Sequence, residues 1–312
     1  MEEQPYLSIV IPVYNEEKNI GPLLDRLYPV VAGTGKPFEI IFTDDGSRDL
    51  SLAILREKSR GLAGVKVIEF NGNFGQHMAI LAAFEMCRGE IVITLDADLQ
   101  NPPEEIPRLV REVENGHDVV GTIREKRQDT FFRKLASRVV NITTNRMTGM
   151  RMSDYGCMLR AYHRNVIENI NRCRETTTFI PALAQTFASR PTEIGVAHSE
   201  RSEGESKYSL YRLIRLNFDL MTGFSVVPLQ LFALFGVVTA VLSLVFALFL
   251  LVRRFIVGAE VEGVFTLFAI LFFFLGIVIF GIGLVGEYVG RIYQEVRRRP
   301  RYVIRNLYGF EE

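Results

Sequence analysis

No GxGxxG turn follows the first apolar run of this chain, which argues against a dinucleotide-dependent oxidoreductase. Cysteine is scarce. Cys87, Cys157 and Cys173 stand singly, odd in number and without a CxxC pair, so neither a zinc site nor a disulfide framework is indicated and a reducing compartment is expected. The four histidines, at 77, 117, 163 and 198, show no metal-ligand spacing. Neither sign of charge is in excess, with 36 Lys plus Arg against 36 Asp plus Glu, so the total gives no reason to expect a nucleic-acid partner. No secretory signal is read at the start, which is acidic and whose first apolar run, 7–13, is short and carries Pro12, so the N-terminal part is expected to stay in the cytoplasm. Tryptophan is absent altogether.

What is present, in 312 residues of which 48% are hydrophobic, is enough for one large α/β domain and an appendage. From residue 7 to about 200, short β-rich runs alternate with amphipathic stretches, the pattern of βα units that build a mostly parallel sheet. Strands are predicted at 7–13, 39–43, 65–70, 90–95 and 118–121, each followed by a turn rich in Asp, Asn or Gly. Helices are predicted at 19–31 and at 104–114, the latter opened by Pro102 and Pro103. In open α/β sheets ligands sit at the carboxyl ends of the strands. The polar segments 14–17, 44–49, 71–77 and 96–101 should therefore converge on one crevice.

The last third changes character. Residues 228–252 and 263–286 carry no charge at all, runs of 25 and 24 residues. As helices they reach about 36 Å, against ~30 Å for a hydrocarbon core. Buried core helices are the alternative, but uncharged runs of this length exceed what a soluble core needs. A short loop, 253–262, joins them into a hairpin. It holds only Arg253 and Arg254, whereas Arg201, Lys207, Arg212 and Arg215 precede the hairpin and Arg291, Arg297, Arg298, Arg299, Arg301 and Arg305 follow it. The positive-inside rule then places both termini in the cytoplasm. The expected division is a catalytic domain over 1–205, a juxtamembrane amphipathic helix over 206–227, the hairpin over 228–286 and a basic cytoplasmic tail over 287–312. The 206–227 segment can lie in the membrane interface or pack as a linker helix on the catalytic domain.

Asp96-Ala97-Asp98 closes the apolar run 91–95. Two carboxylates two residues apart at a strand end can reach a hard divalent cation, Mg²⁺ or Mn²⁺, that bridges diphosphate oxygens. Taken alone such a pair reads as a solvated acidic turn. Its context is richer: Asp44-Asp45-Gly46-Ser47 ends another strand and can accept from a uracil N3–H or a ribose hydroxyl, and Pro12-Val13-Tyr14-Asn15-Glu16 ends the first and offers a ring to stack on a base.

These three segments together resemble the GT-A fold of family 2 glycosyltransferases. NGNFGQH (71–77), DADLQNPPE (96–104), GTIR (121–124) and the hairpin resemble the branch that glycosylates polyprenyl phosphates. A longer set, including RQDTFFRKLAS (127–137), SDYGCMLRAY (153–162), TTFIPALA (177–184), GESKYS (204–209) and GLVGEYVGRIY (283–293), is similar to the transferases that pass 4-deoxy-4-formamido-L-arabinose to undecaprenyl phosphate in lipid A modification. That similarity covers nearly the whole chain. The absent tryptophan excludes the QxxRW segment of the family's processive polysaccharide synthases.

The resemblance implies a Rossmann-like GT-A domain followed by a two-helix transmembrane hairpin in the bacterial inner membrane, with a homo-oligomer such as a tetramer as the assembly. It implies a nucleotide-sugar donor, UDP-linked, held by Pro12, Tyr14, Glu16, Asp44, Asp45, Asn73, Gln76, His77 and Asp96, with a divalent cation on Asp96, Asp98 and Gln100. Asp98 and Asp154 are its catalytic candidates. The acceptor phosphate would be met by Arg124, Arg133, Ser137, Arg201 and Lys207, with Arg127 and Arg138 close in sequence. Each has a plain alternative: a solvated arginine, a charged juxtamembrane linker at 198–207, a helix N-cap for Asp154 and a structural histidine at 77. Because a phosphate acceptor is already anionic, Asp154 need not act as a base. UDP-glucose or GDP-mannose as donor, and a degenerate membrane scaffold that has lost its chemistry, remain the competing readings.

Overall fold

The first apolar run forms β1 (Leu7–Val13), the strand around which the sheet is organised. The structure is a computed structural model that describes residues 4–124, 157–173, 179–196, 226–257, 264–297 and 299–310. It divides into two compact units, Met1–Tyr208 with Arg299–Glu312, and Ser209–Arg298.

In the first unit the chain runs β1, α1 (Ile20–Ala32), β2 (Phe38–Asp44), α2 (Ser51–Gly61), β3 (Val65–Phe70), α3 (Gln76–Met86), β4 (Ile91–Thr94), α4 (Ile106–Glu114) and β5 (Val119–Arg124). Then come β6 (Arg160–His163), α5 (Arg164–Arg172), α6 (Ile180–Phe187), β7 (Pro191–Val196) and, after the second unit, β8 (Ile304–Tyr308). The eight strands form one sheet in the order β7-β5-β6-β4-β1-β2-β3-β8. β1 pairs parallel with β2 and β4, β2 with β3, and β5 with β7, while β6 and β8 run antiparallel to their neighbours.

The predicted strands fall where the apolar runs placed them, because each buries its side chains on both faces. Ile9, Val10 and Ile11 are fully buried, as are Ile40, Ile41 and Phe42. α1 covers one face with Ile20, Leu23, Leu24, Leu27 and Val31, and α4 adds Ile106, Leu109, Val110 and Val113, both at helical spacing. Three strands were not foreseen. β6 is four residues long, β7 opens with proline and contains a glycine, and β8 is the charged stretch read from sequence as part of a tail.

Polar groups lock the end of the sheet away from the crevice. The buried Glu39 carboxylate accepts from Ser8 Oγ at 2.6 Å, from the Arg88 N–H at 2.6 Å and from Lys66 Nζ at 2.9 Å. Three donors offset its desolvation.

The second unit contains α7 (Val227–Val257) and α8 (Val264–Val296), longer than the uncharged runs that predicted them. At 31 and 33 residues they extend about 46 and 50 Å. Both are long and apolar enough to cross a membrane, and the apolar windows Val227–Phe246 and Ile270–Val296 are 0% and 11% buried. Apolar surface this extensive is not left to water, and it marks the chain as membrane-associated. Within the pair, Phe232 packs on Gly281, where a Cβ would stand 2.1 Å from the ring, so glycine is what lets the helices approach. Residues 206–225 of the expected juxtamembrane helix lie outside the described residues, and its last residue, Val227, is already the first of α7.

Candidate active site

The sheet changes direction of winding at β1: β2 and β3 build outward on one side of it and β4 lies on the other. This is the switch point at which open α/β sheets bind ligands. Pairing of β1 with β4 stops at Val10–Thr94, so Pro12 costs no ladder hydrogen bond on that side. Beyond it the two strand ends part.

The loops after β1 and β2 are tied together. The Asn15 N–H donates to Ser47 Oγ at 3.0 Å, the Arg48 N–H donates to Asn15 Oδ1 at 2.8 Å, and the Glu16 N–H donates to Ser51 Oγ at 2.8 Å. Asn15 has φ 58, a left-handed value that asparagine tolerates. Gly46, with φ +70, has no such latitude, since a Cβ there would meet the Gly72 carbonyl carbon at 2.6 Å.

Between these loops lies a cleft of about 310 Å³ lined by Tyr14, Asp44, Ser47, Glu69, Asn73 and Arg305, among others. Tyr14 is 43% exposed, leaving a ring face on which a base can stack. Asp44 is buried. Its Oδ2 accepts from the Ser47 N–H at 3.2 Å, while Oδ1 has no hydrogen-bond partner, a costly arrangement unless a ligand supplies a donor. Burial pushes the Asp44 carboxyl above its ordinary value, against the hydrogen bonds from Ser47.

Asp45 does something different from its neighbour. Its two oxygens accept the backbone N–H groups of Phe74 at 2.6 Å and Gly75 at 2.9 Å, so it shapes the loop that precedes α3. Glu16 likewise turns to a local partner, accepting from Asn19 Nδ2 at the start of α1. Among the sequence candidates for the base, Tyr14, Asp44 and Asn73 line the cleft, and Asp45 and Glu16 support its walls.

Across β1, the turn after β4 carries Asp96 and Asp98, both part-exposed. Gln76, the first residue of α3, donates from Nε2 to Asp96 Oδ1 at 2.7 Å. Leu99 takes φ 60, a strained value for a non-glycine residue, and this bend brings the Gln100 N–H within 3.1 Å of Asp98 Oδ1. Gln100 thus touches the pair through its backbone. Among the described residues no three His, Cys, Asp or Glu side chains form a ready-made metal cluster. Two carboxylates suit Mg²⁺ or Mn²⁺ arriving with a diphosphate, since such ions take one or two protein carboxylates plus phosphate oxygens and water.

His77 follows Gln76 on α3. Its ring meets Phe179 edge-on at 5.2 Å, its Nδ1 is unpartnered, and burial holds its pKa down to about 4. It is therefore neutral at physiological pH and available as a hydrogen-bonding group beside Gln76. Arg124 ends β5; its side chain, with Arg133, Ser137, Asp154, Arg201 and Lys207, lies outside the described residues.

Two charged residues of the cleft lie outside the segments expected to form it, Glu69 and Arg305. Glu69 stands one residue before the end of an apolar strand and resembles an ordinary alternating polar residue. Arg305 was counted only toward the positive flank of the hairpin.

A cleft on one side of a switch point and a carboxylate pair on the other are the arrangement expected of an α/β domain that takes a nucleotide-sugar. Residues 8–170 match the pattern described as Glycosyl transferase family 2. The chain belongs to that family. It is 52% identical over 305 residues, 97% of this chain and 94% of the relative, to the undecaprenyl-phosphate 4-deoxy-4-formamido-L-arabinose transferase of Edwardsiella ictaluri (strain 93-146). It is also 52% identical, over 96% of its length and 92% of the relative's, to the enzyme of the same name from Pectobacterium atrosepticum. Among solved structures, glucosyl-3-phosphoglycerate synthase from Mycobacterium tuberculosis, in complex with Mn²⁺, uridine-diphosphate-glucose and phosphoglyceric acid, aligns with TM-score 0.54 at 17% identity, covering 70% of this chain and 79% of that one. That likeness establishes the GT-A type of fold.

Proposed function

We propose that the protein transfers 4-deoxy-4-formamido-L-arabinose from a UDP carrier to undecaprenyl phosphate at the cytoplasmic face of the membrane. The observation that carries this reading is the linked pair of half-sites, the Asp44 cleft and the Asp96–Asp98 turn, in a chain 52% identical to transferases of that name over 97% of its length.

Tyr14 stacks on the uracil and Asp44 accepts its N3–H, which supplies the donor that Oδ1 lacks. The diphosphate then extends over β1 toward Asp96 and Asp98, which would hold Mg²⁺ or Mn²⁺. Such an ion, when bound, neutralises charge on the departing diphosphate. Gln76 keeps Asp96 oriented, and neutral His77 beside it hydrogen-bonds a sugar substituent.

The acceptor oxygen is a phosphate oxygen that is already anionic. It forms the new bond to the anomeric carbon as the bond from that carbon to the UDP oxygen breaks, with inversion, and no proton has to be removed. Asp154 accordingly orients the acceptor or sugar. Arg124, Arg133, Ser137, Arg201 and Lys207 pair the lipid phosphate, since a phosphate leaving bulk water needs cationic donors.

Connectivity supports the orientation. The chain leaves the sheet-bearing unit ahead of the first apolar helix and rejoins it at Arg299 after the second. A spanning hairpin then has both ends on the catalytic side, which agrees with the arginine-rich flanks. A homo-oligomer formed through the C-terminal part completes the reading.

The test is direct. Membranes holding the protein are incubated with undecaprenyl phosphate and a panel of UDP-sugars and GDP-mannose, and the lipid product is weighed by mass spectrometry. A product heavier by the formamido-arabinose residue is expected. Products only with UDP-glucose or GDP-mannose would assign a different donor, and no lipid product with any donor would leave the scaffold reading.

A further inference from the structure

The strand that follows the membrane hairpin forms one wall of the nucleotide cleft. β8 pairs antiparallel with β3 in the register Val67–Tyr308, Ile68–Leu307, Glu69–Asn306 and then Phe70–Ile304. The shift leaves Arg305 as the extra residue, without a partner on β3. Bulges of this kind re-aim a side chain, and they recur beside active sites. Here the bulged residue is the arginine that lines the cleft with Tyr14 and Asp44.

The rest of the strand holds it in place. Asn306 Nδ2 and the Tyr308 hydroxyl donate to Glu69 Oε2 at 2.8 and 2.7 Å, and the Tyr302 ring stacks on Phe70 at 5.0 Å. The Asn71 N–H donates to the Val303 carbonyl at 3.0 Å. Arg305 Nη1 stands 3.5 Å from Glu69 Oε1, yet the Arg305 side chain remains 64% exposed, so its guanidinium keeps donors free for a ligand.

Position decides what those donors can reach. β8 is four strands from β4 in the sheet, roughly 19 Å at the usual spacing, so a diphosphate held at Asp96 and Asp98 is out of range. Asp44 is two strands away, on β2, and it is the acceptor for the base. A carboxylate acceptor with a guanidinium donor beyond it is the complement of a keto base, whose ring N–H and carbonyl lie side by side. Cytosine keeps the O2 carbonyl but reverses the rest of this edge, with a bare ring nitrogen and an amino group where uracil has O4.

We propose that Arg305 is a specificity-determining residue that donates to the O4 carbonyl of the donor's uracil, so that the segment after the hairpin completes the base site. This rests on the donor site proposed above. Sites built to hydrogen-bond one pattern reject the analogue that leaves their polar groups unpaired.

The test uses the full-length protein in detergent, titrated calorimetrically with UDP and with CDP in the presence of Mn²⁺. Wild type should prefer UDP. Arg305→Met, which keeps the aliphatic stem, should weaken UDP roughly tenfold and change CDP by less than about twofold, with the thermal midpoint unchanged. Arg305→Lys, which keeps the charge and loses the fork, serves if the methionine variant does not fold; it should weaken UDP by about threefold or more. UDP binding unaffected in both variants, or UDP and CDP weakened alike, overturns the assignment while leaving the donor site standing. A wild-type protein that binds neither nucleotide refutes the donor site itself and this inference with it.

Discussion

Gln76 Nε2 donates to Asp96 Oδ1 at 2.7 Å, joining the first residue of α3 to the acidic turn after β4. The bond links the loop shaped by Asp45 to the proposed metal ligands, so the two half-sites are mechanically connected. Removing it should loosen one ligand without removing it. Gln76→Ala is expected to raise the Mn²⁺ concentration for half-maximal transfer by about tenfold, as losing a partner of a metal ligand commonly does. An unchanged metal dependence would make Gln76 a sugar-contacting or purely local residue.

Asp96→Ala and Asp98→Ala remove the carboxylates themselves. Both variants should lose transfer while still fractionating with membranes, because α7 and α8 carry insertion independently of the turn. Near-normal turnover in either variant would sink the metal assignment.

Arg124→Ala and Arg133→Ala probe the acceptor side. Each should raise the apparent KM for undecaprenyl phosphate by roughly tenfold, the size of a charge-assisted hydrogen bond, and leave the KM for the nucleotide-sugar alone. If donor KM moves and acceptor KM does not, these arginines serve the diphosphate.

His77 makes a prediction about pH. Burial lowers its folded pKa to about 4, against 6.5 for the free side chain. The folded state therefore binds fewer protons than the unfolded chain between these values. Its contribution to stability is complete above pH 6.5 and is lost as pH falls toward 4, up to about 3 kcal/mol. Thermal midpoints measured from pH 7.5 to 4 should decline less steeply in His77→Phe than in wild type. Parallel curves would show that His77 is solvated.

Glu39 and Lys66 provide a contrast, at the end of the sheet remote from the crevice. Side chains 2% and 12% exposed meet at 2.9 Å. Glu39→Gln leaves the ammonium without its counter-charge and should cost about 3 kcal/mol of stability. At a temperature where the variant is folded, its KM for both substrates should match wild type. A change in KM without a change in thermal midpoint would tie this end of the sheet to the site.

The fold class was legible along the chain because its evidence is local. Runs such as Ile9–Ile11 and Ile91–Ile93 are apolar on both faces, a pattern that only a covered, parallel-type strand explains, and uncharged runs of 25 and 24 residues need no partner to be recognised as apolar helices. The acidic turn at Asp96–Asp98 and the Asp44–Ser47 turn were equally visible, as polar punctuation at strand ends. The division of labour within Asp44–Asp45 was not. Adjacent aspartates look alike in sequence, and only the approach of the Phe74 and Gly75 amides separates the wall-building Asp45 from Asp44, which lines the cleft.

β8 is the clearest case of what chain order conceals. Ile-Arg-Asn-Leu-Tyr is short and follows a run of arginines, whose charge pointed to a tail beside the membrane. Its value as a strand comes from Glu69, 239 residues from Tyr308, whose buried carboxylate needs the donors that Asn306 and Tyr308 bring. Burial alone would raise the Glu69 carboxyl, but those hydrogen bonds and the Arg305 guanidinium outweigh it and hold the group below the usual range. By itself, then, the sequence determined the class of sheet, the apolar helices and the acids of the site, each from contacts between near neighbours along the chain. Which acid lines the cleft, and that an arginine after the second apolar helix lines it too, were decided by tertiary structure alone, because buried polar groups are satisfied by whatever the fold brings near and not by what lies next to them in the chain.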